Sequence, residues 1–236
     1  MSFNIYLALV FVAALAGGLI PLKYAGSKKM LSLAVSFAGG VLVGTALFHL
    51  LPESIKILGG ATGVPILLGF ALFYIPQKFV LIHPCEEEDC DFHTLGVLAY
   101  VGITFHALID GVGVGAASEV PEIGTMITTA VMVHKFPASL ALSFLLIVAG
   151  MKRGTIGVMA LFFAFATPVG AVITKGFLGH AEISWLGYAM GLSTGNFLAI
   201  AGSDLLRRMH DPKNTDRARR LAFLFLGLGV SLLGSG

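Results

Sequence analysis

Four ionisable side chains stand where the surrounding sequence carries no charge, and their types are those of metal ligands. His106 and Asp110 lie four residues apart in Gly102-Ile-Thr-Phe-His-Ala-Leu-Ile-Asp-Gly111, a spacing that stacks both on one helix face, one turn apart. His134 and Lys135 follow in Val131-Met-Val-His-Lys-Phe-Pro137. Neutral imidazole and carboxylate suit zinc and related first-row divalent metals, whereas calcium and magnesium prefer all-oxygen cages. His106, Asp110 and His134 are therefore the expected metal ligands. An ammonium beside such a site repels a metal unless an acid balances it, so Lys135 is expected to pair with Asp110 and to stand in place of a second ion. Pro137 removes a backbone hydrogen bond three residues past His134, which frees a carbonyl close to the site.

Other polar groups flank this set. His49 and Glu53, four apart in Phe48-His-Leu-Leu-Pro-Glu53, and Asn196 and Asp204 further on are candidates to line a path to the site. The segment His83-Pro-Cys-Glu-Glu-Glu-Asp-Cys-Asp-Phe-His93 gathers both cysteines, two histidines and five acids within eleven residues. Thiolates and imidazoles so close together can chelate a soft or borderline metal, so His83, Cys85, Cys90 and His93 are a candidate loop site. A solvated acidic loop would carry the same residues.

The elements that must position these groups are apolar. Of the 236 residues 56% are hydrophobic and 12% charged, with a mean hydropathy of +0.90, too little polar surface to wrap a water-soluble core. Lipid must supply part of the surroundings, and the scattered basic residues build no surface for nucleic acid. A spanning helix needs about 20 mostly apolar residues. Eight stretches qualify, at residues 3–22, 30–51, 57–82, 94–117, 123–150, 154–176, 183–206 and 218–234. The expected fold is all-α, one polytopic membrane domain over residues 1–236 with the 83–93 loop inside it. No positive charge precedes the first stretch, so it reads as a span and not as a cleaved leader.

Positive charge orients the chain. With the N-terminus outside, Lys23, Lys28, Lys29, Lys152, Arg153, Arg207, Arg208, Lys213, Arg217, Arg219 and Arg220 all fall on the inner side, against Lys56 and Lys175 outside. Both termini are thus expected outside the cytoplasm and the 83–93 loop within it, where a disulfide is not favoured. His106 and His134 each lie about a dozen residues into their stretches, which at about 1.5 Å per residue puts both near the midplane.

These residues resemble the Zrt/Irt-like, or ZIP, family of metal transporters. Gly39-Gly-Val-Leu-Val-Gly-Thr-Ala-Leu-Phe-His-Leu-Leu-Pro-Glu53 is similar to the family's second span. His106-Ala-Leu-Ile-Asp-Gly111 resembles its His-Asn-x-Pro-Glu-Gly signature, and His134-Lys-Phe-Pro-Ala138 its second ligand motif. The resemblance implies eight transmembrane helices in a 3+2+3 arrangement with inverted repeats, and a transport site at His106, Asp110 and His134. Ala107, Ile109 and Ala138 depart from the family's Asn, Pro and Glu, and Lys135 stands where two-metal members place a second-metal ligand. The implied site therefore holds one metal and needs water or another side chain to complete it.

The expectation is a carrier of divalent transition metal, zinc first and iron, manganese or cadmium as alternatives, moving the ion toward the cytoplasm by alternating access. The metal is cargo, with no resident cofactor and no enzymatic step. Expected partners are divalent metal ions and the lipid bilayer, with a homodimer left open. An intramembrane zinc-dependent enzyme would use the same ligands to activate water, but no His-Glu-x-x-His motif is present. A proton-coupled carrier of a small organic solute would use the histidines as relays.

Overall fold

In the computed structural model the apolar stretches are helices. It describes residues 3–24, 28–80, 89–118, 121–177, 183–209 and 217–233. The elements are α1 (Phe3–Tyr24), α2 (Lys28–Thr45), α3 (Leu51–Leu58), α4 (Gly63–Val80), α5 (Asp89–Ala117), α6 (Pro121–Val148), α7 (Arg153–Phe177), α8 (Ile183–Met209) and α9 (Arg217–Leu233). A π-helical segment, Ala46–Leu50, joins α2 to α3 without a break, and a short 3₁₀ segment, Gly59–Thr62, turns the chain into α4.

Three boundaries differ from the sequence reading; the third stretch, expected from residue 57, becomes α4 only at Gly63, because α3 runs to Leu58 and the chain turns at Gly59–Thr62. The second stretch continues past Leu51 to Leu58, because the π-helical turn before Pro52 accommodates its ring and its missing N–H. α5 begins at Asp89 rather than Thr94, so Cys90 and His93 belong to its first turns and not to a loop. Acidic sequence at a helix N-terminus complements the helix dipole, which suits this early start. His83 and Cys85 lie outside the described residues, as do the side chains of Cys90 and His93.

The distribution of polarity is that of a membrane protein. Leu67 is 71% exposed and Phe162 64%, while Lys135 is buried to 1%. A water-soluble chain would reverse that order. Among the described residues, five stretches are long and apolar enough to cross a bilayer: Phe3–Lys23, Ser32–Pro76, Gly96–Ala116, Val131–Val148 and Arg153–Gly176.

With lipid outside, helices cannot be driven together by apolar burial alone, and close packing and hydroxyl hydrogen bonds take over. Ser139 and Ser143 of α6, one turn apart, donate to the carbonyls of Ala14 and Gly18 on α1. Thr167 of α7 donates to Ala107 O on α5 at 2.8 Å, Ser54 of α3 to Gly187 O on α8 at 2.9 Å, and Ser231 of α9 to Val41 O on α2 at 2.9 Å. Glycine lets the backbones close in. Gly40 and Gly44 of α2 face α9, and Gly191 and Gly195 of α8 face residues 54–70 of α3 and α4. Gly111 of α5 seats on Thr167 and Ala171 of α7, where any Cβ would strike backbone. Around the α5–α6 pair, α1 packs on α6 and α7, α2 on α6, α8 and α9, α4 on α8, and α5 on α7 and α8.

Candidate metal centre

The site begins with the register of α5. His106 and Asp110 lie one turn apart on a buried face, with His106 Nε2 3.4 Å from Asp110 Oδ1. Neighbouring residues on a helix point about 100° apart, a consequence of 3.6 residues per turn. His134 and Lys135 can therefore meet one acceptor only if it lies between them, and α6 presents that edge to Asp110. His134 Nε2 and Lys135 Nζ each stand 3.2 Å from Asp110 Oδ2. The carboxylate is thus enclosed by two imidazoles and an ammonium, all from consecutive helices. On its far side Lys135 faces the ring of Phe163 on α7, Nζ 5.0 Å from the centroid.

A third imidazole joins them from α2–α3. Pro52 offers no N–H to the carbonyl of Phe48, one regular turn behind it, and its ring crowds that carbonyl. The chain responds by widening the preceding turn, and Leu51 N–H bonds to Ala46 O in an i→i+5 step. π-bulges of this kind often sit at functional positions. Here the wide turn carries His49, whose ring lies 5.1 Å from that of His134. Ligand atoms of His49, Asp110 and His134 all fall within 4.8 Å of one another. Ligands at about 2.0–2.2 Å from a tetrahedral ion stand about 3.3–3.6 Å apart, so a small inward movement would close this set on zinc.

His106 is poised to complete it. Its ring is 1% exposed, lies 5.8 Å from the His134 ring, and is braced edge-on by Phe197 of α8 at 4.8 Å. Among the described residues neither ring nitrogen has a hydrogen-bond partner. An unsatisfied buried polar group costs about 1–3 kcal/mol, and its persistence calls for an unfilled partner. A cation beside Asp110 would supply one.

The remaining candidates separate. Glu53, placed four residues from His49, turns to Lys56 at 2.6 Å near the surface. His49 lies within the π segment and Glu53 in the α-helical turn after it, and only His49 joins the Asp110 and His134 cluster. Asn196 is buried against Gly102, one turn along α5 from His106, where a Cβ would collide with its amide. Asp204 belongs to α8, but its side chain lies outside the described residues. Sequence reasoning passed over Phe163, Phe197 and Gly102, which shape the site without ligand chemistry. The Pro52-induced bulge had a visible signal, a proline three residues after a histidine within an apolar run.

The bulge is open to test. Replacing Pro52 with Ala restores an N–H for the Phe48 carbonyl and favours a regular α-helix that withdraws His49 from His134. Zinc affinity is expected to weaken about tenfold, in the range set by loss of groups that orient ligands. Unchanged affinity by isothermal titration would mean that His49 reaches the site without the wide turn.

Helices that face lipid with leucine and phenylalanine while enclosing histidines, aspartate and lysine define a multi-pass integral membrane protein with a ligand cluster at its heart. The chain belongs to the ZIP family: the family model described as "ZIP Zinc transporter" matches residues 82–235, well over half its length. Its relatives include zinc transporter ZIP9-A of Xenopus laevis, 27% identical over 81% of this chain and 80% of that protein. Zinc transporter ZIP9 of Micropogonias undulatus is 28% identical over 83% of this chain and 82% of that protein. Zinc transporter 1 of Oryza sativa subsp. japonica is 24% identical over 96% of this chain and 80% of that protein.

Proposed function

We propose that the chain carries divalent transition metal, zinc first, across a membrane toward the cytoplasm by alternating access. The observation that carries this reading is the convergence of His49, Asp110 and His134 ligand atoms from three separate helices within 4.8 Å. The fourth ligand is His106, whose ring nitrogens have no hydrogen-bond partner among the described residues and which flanks the same carboxylate. Three neutral imidazoles and one carboxylate fit zinc in number and type. Names of the relatives point the same way, and kinship to carriers favours transport over catalysis by these ligands.

Entry is from the side of His49, which is half-buried while His106 is sealed behind it. Glu53 and Lys56 stand at that mouth. Charge asymmetry makes it the outer one, with both termini outside and eight spans, α2 and α3 counting as one. The helix neighbours support a 3+2+3 design. Exchanging α1, α2–α3 and α4 with α7, α8 and α9, and α5 with α6, turns the contact of α1 with α6 into that of α7 with α5. It likewise turns α2 with α9 into α8 with α4, and α2 with α6 into α8 with α5. Inverted repeats of this kind place substrate at the midplane between the halves. Lys135 takes the place of a second ion, so one metal binds per chain.

Metal uptake into proteoliposomes tests the reading, with zinc, iron, manganese and cadmium offered in turn. Zinc uptake is expected in the wild type and should fall by at least about 100-fold in His134→Ala and His106→Ala, since losing a ligand costs no less than losing its support. A folded wild type that moves no metal in either orientation would overturn it.

A further inference from the structure

A carrier that binds a divalent cation must also return empty, and an empty site holding a bare carboxylate is a buried charge that must pass through a low-dielectric barrier. We propose that Lys135 is the residue that makes this return passable: its ammonium is a tethered cation that neutralises Asp110 whenever no metal is bound. The inference rests on the transport reading above and concerns a different step of the same site.

Three observations carry it. Lys135 is 1% exposed and its Nζ stands 3.2 Å from Asp110 Oδ2, so its ammonium lies within ion-pair distance of the carboxylate it would balance. The same oxygen lies 3.2 Å from His134 Nε2, which puts the ammonium and the incoming metal in competition for one acceptor. Phe163 offers its ring face 5.0 Å from Nζ, a surface that can hold the ammonium when metal takes the carboxylate. The charge count follows, with the imidazoles neutral as ligation requires. With Lys135 the empty site sums to zero and the zinc-loaded site to plus two. Without it the empty site carries minus one and the loaded site plus one. Lys135 therefore makes the empty carrier the neutral form, and it weakens zinc binding by repulsion.

The two halves of the cycle can be measured apart. Net uptake into zinc-free proteoliposomes requires the empty carrier to return, whereas exchange of labelled zinc against internal zinc requires only the loaded form to move. Lys135→Met is expected to bind zinc at least threefold more tightly and to lose at least tenfold in net uptake, while exchange is retained or rises, because the loaded site then carries one positive charge fewer. Lys135→Arg keeps the charge and should keep both activities within about threefold. Net uptake that survives Lys135→Met, or uptake and exchange that fall together, overturns the proposal. Lys135→Gln must show the same split as Lys135→Met. A chain that folds with neither Met nor Gln assigns Lys135 to stability and overturns it as well. A wild type that neither takes up nor exchanges zinc fails at the transport reading itself.

Discussion

Asp110→Ala is expected to abolish zinc uptake and to destabilise the helix bundle by about 3–5 kcal/mol, the cost of leaving a buried charge without its partner. The carboxylate is the point where α5 and α6 meet: His106, His134 and Lys135 all approach its two oxygens within 3.4 Å. Removing it takes away the carboxylate of the candidate site and strands the Lys135 ammonium beside Phe163. The reverse deletion is milder, because Asp110 without Lys135 still has two imidazoles beside it. This asymmetry is the useful part of the prediction. In a double-mutant cycle, Asp110→Ala with Lys135→Met should recover most of the stability lost in Asp110→Ala alone, while zinc binding stays absent. Unfolding in detergent, followed by tryptophan fluorescence or helicity, gives the stability terms, and calorimetry gives the metal term. If Asp110→Ala melts with the wild type, the ion pair does not hold α5 and α6 together.

The candidate metal centre was half legible from the residues alone. His106, Asp110, His134 and Lys135 stood out because ionisable groups are rare at membrane depth, and helical spacing put the first two on one face. His49 was legible as a ligand type but not as a member of the centre. Its position depends on a wide turn set by Pro52, and regular helical periodicity counts it with Glu53 instead. Side chains that brace the ligands were invisible for a different reason. Phe197 and Phe163 are two aromatics in a chain with 18 phenylalanines, and only the packing of α7 and α8 against the site gives them a role. For the helices the apolar runs located most of the described elements to within a few residues, but α4 starts at Gly63 and not at residue 57, and elsewhere chemistry overrode hydropathy. α5 starts in acidic sequence that no hydropathy window would include, and α2–α3 runs through a proline that reads as a stop.

Valine at Gly111 or Gly170 is expected to cost about 3 kcal/mol or more and to eliminate transport with it. These two glycines face each other's helix: a Cβ on Gly111 would enter the Thr167 carbonyl and the Ala171 amide, and one on Gly170 would enter the Leu108 carbonyl and the Val112 amide. All four obstacles are backbone, so no rotamer change can relieve the clash and the helices must move apart. Gly111 adjoins Asp110 in sequence, and Thr167 donates to Ala107 O just beyond His106, so any separation of α5 from α7 displaces both candidate ligands of α5. The effect should be graded by what each glycine meets. Gly102→Ala meets the side-chain amide of Asn196, which can rotate, and should fall between the extremes. Gly157→Ala, also on α7, has only a leucine methyl of Leu19 at 4.0 Å and should behave as wild type. Alanine at Gly111 or Gly170 should already lower the melting temperature, and valine should leave no monodisperse protein. A Gly170→Val variant that melts and transports like the wild type would mean that α5 and α7 do not approach as closely as their glycines permit.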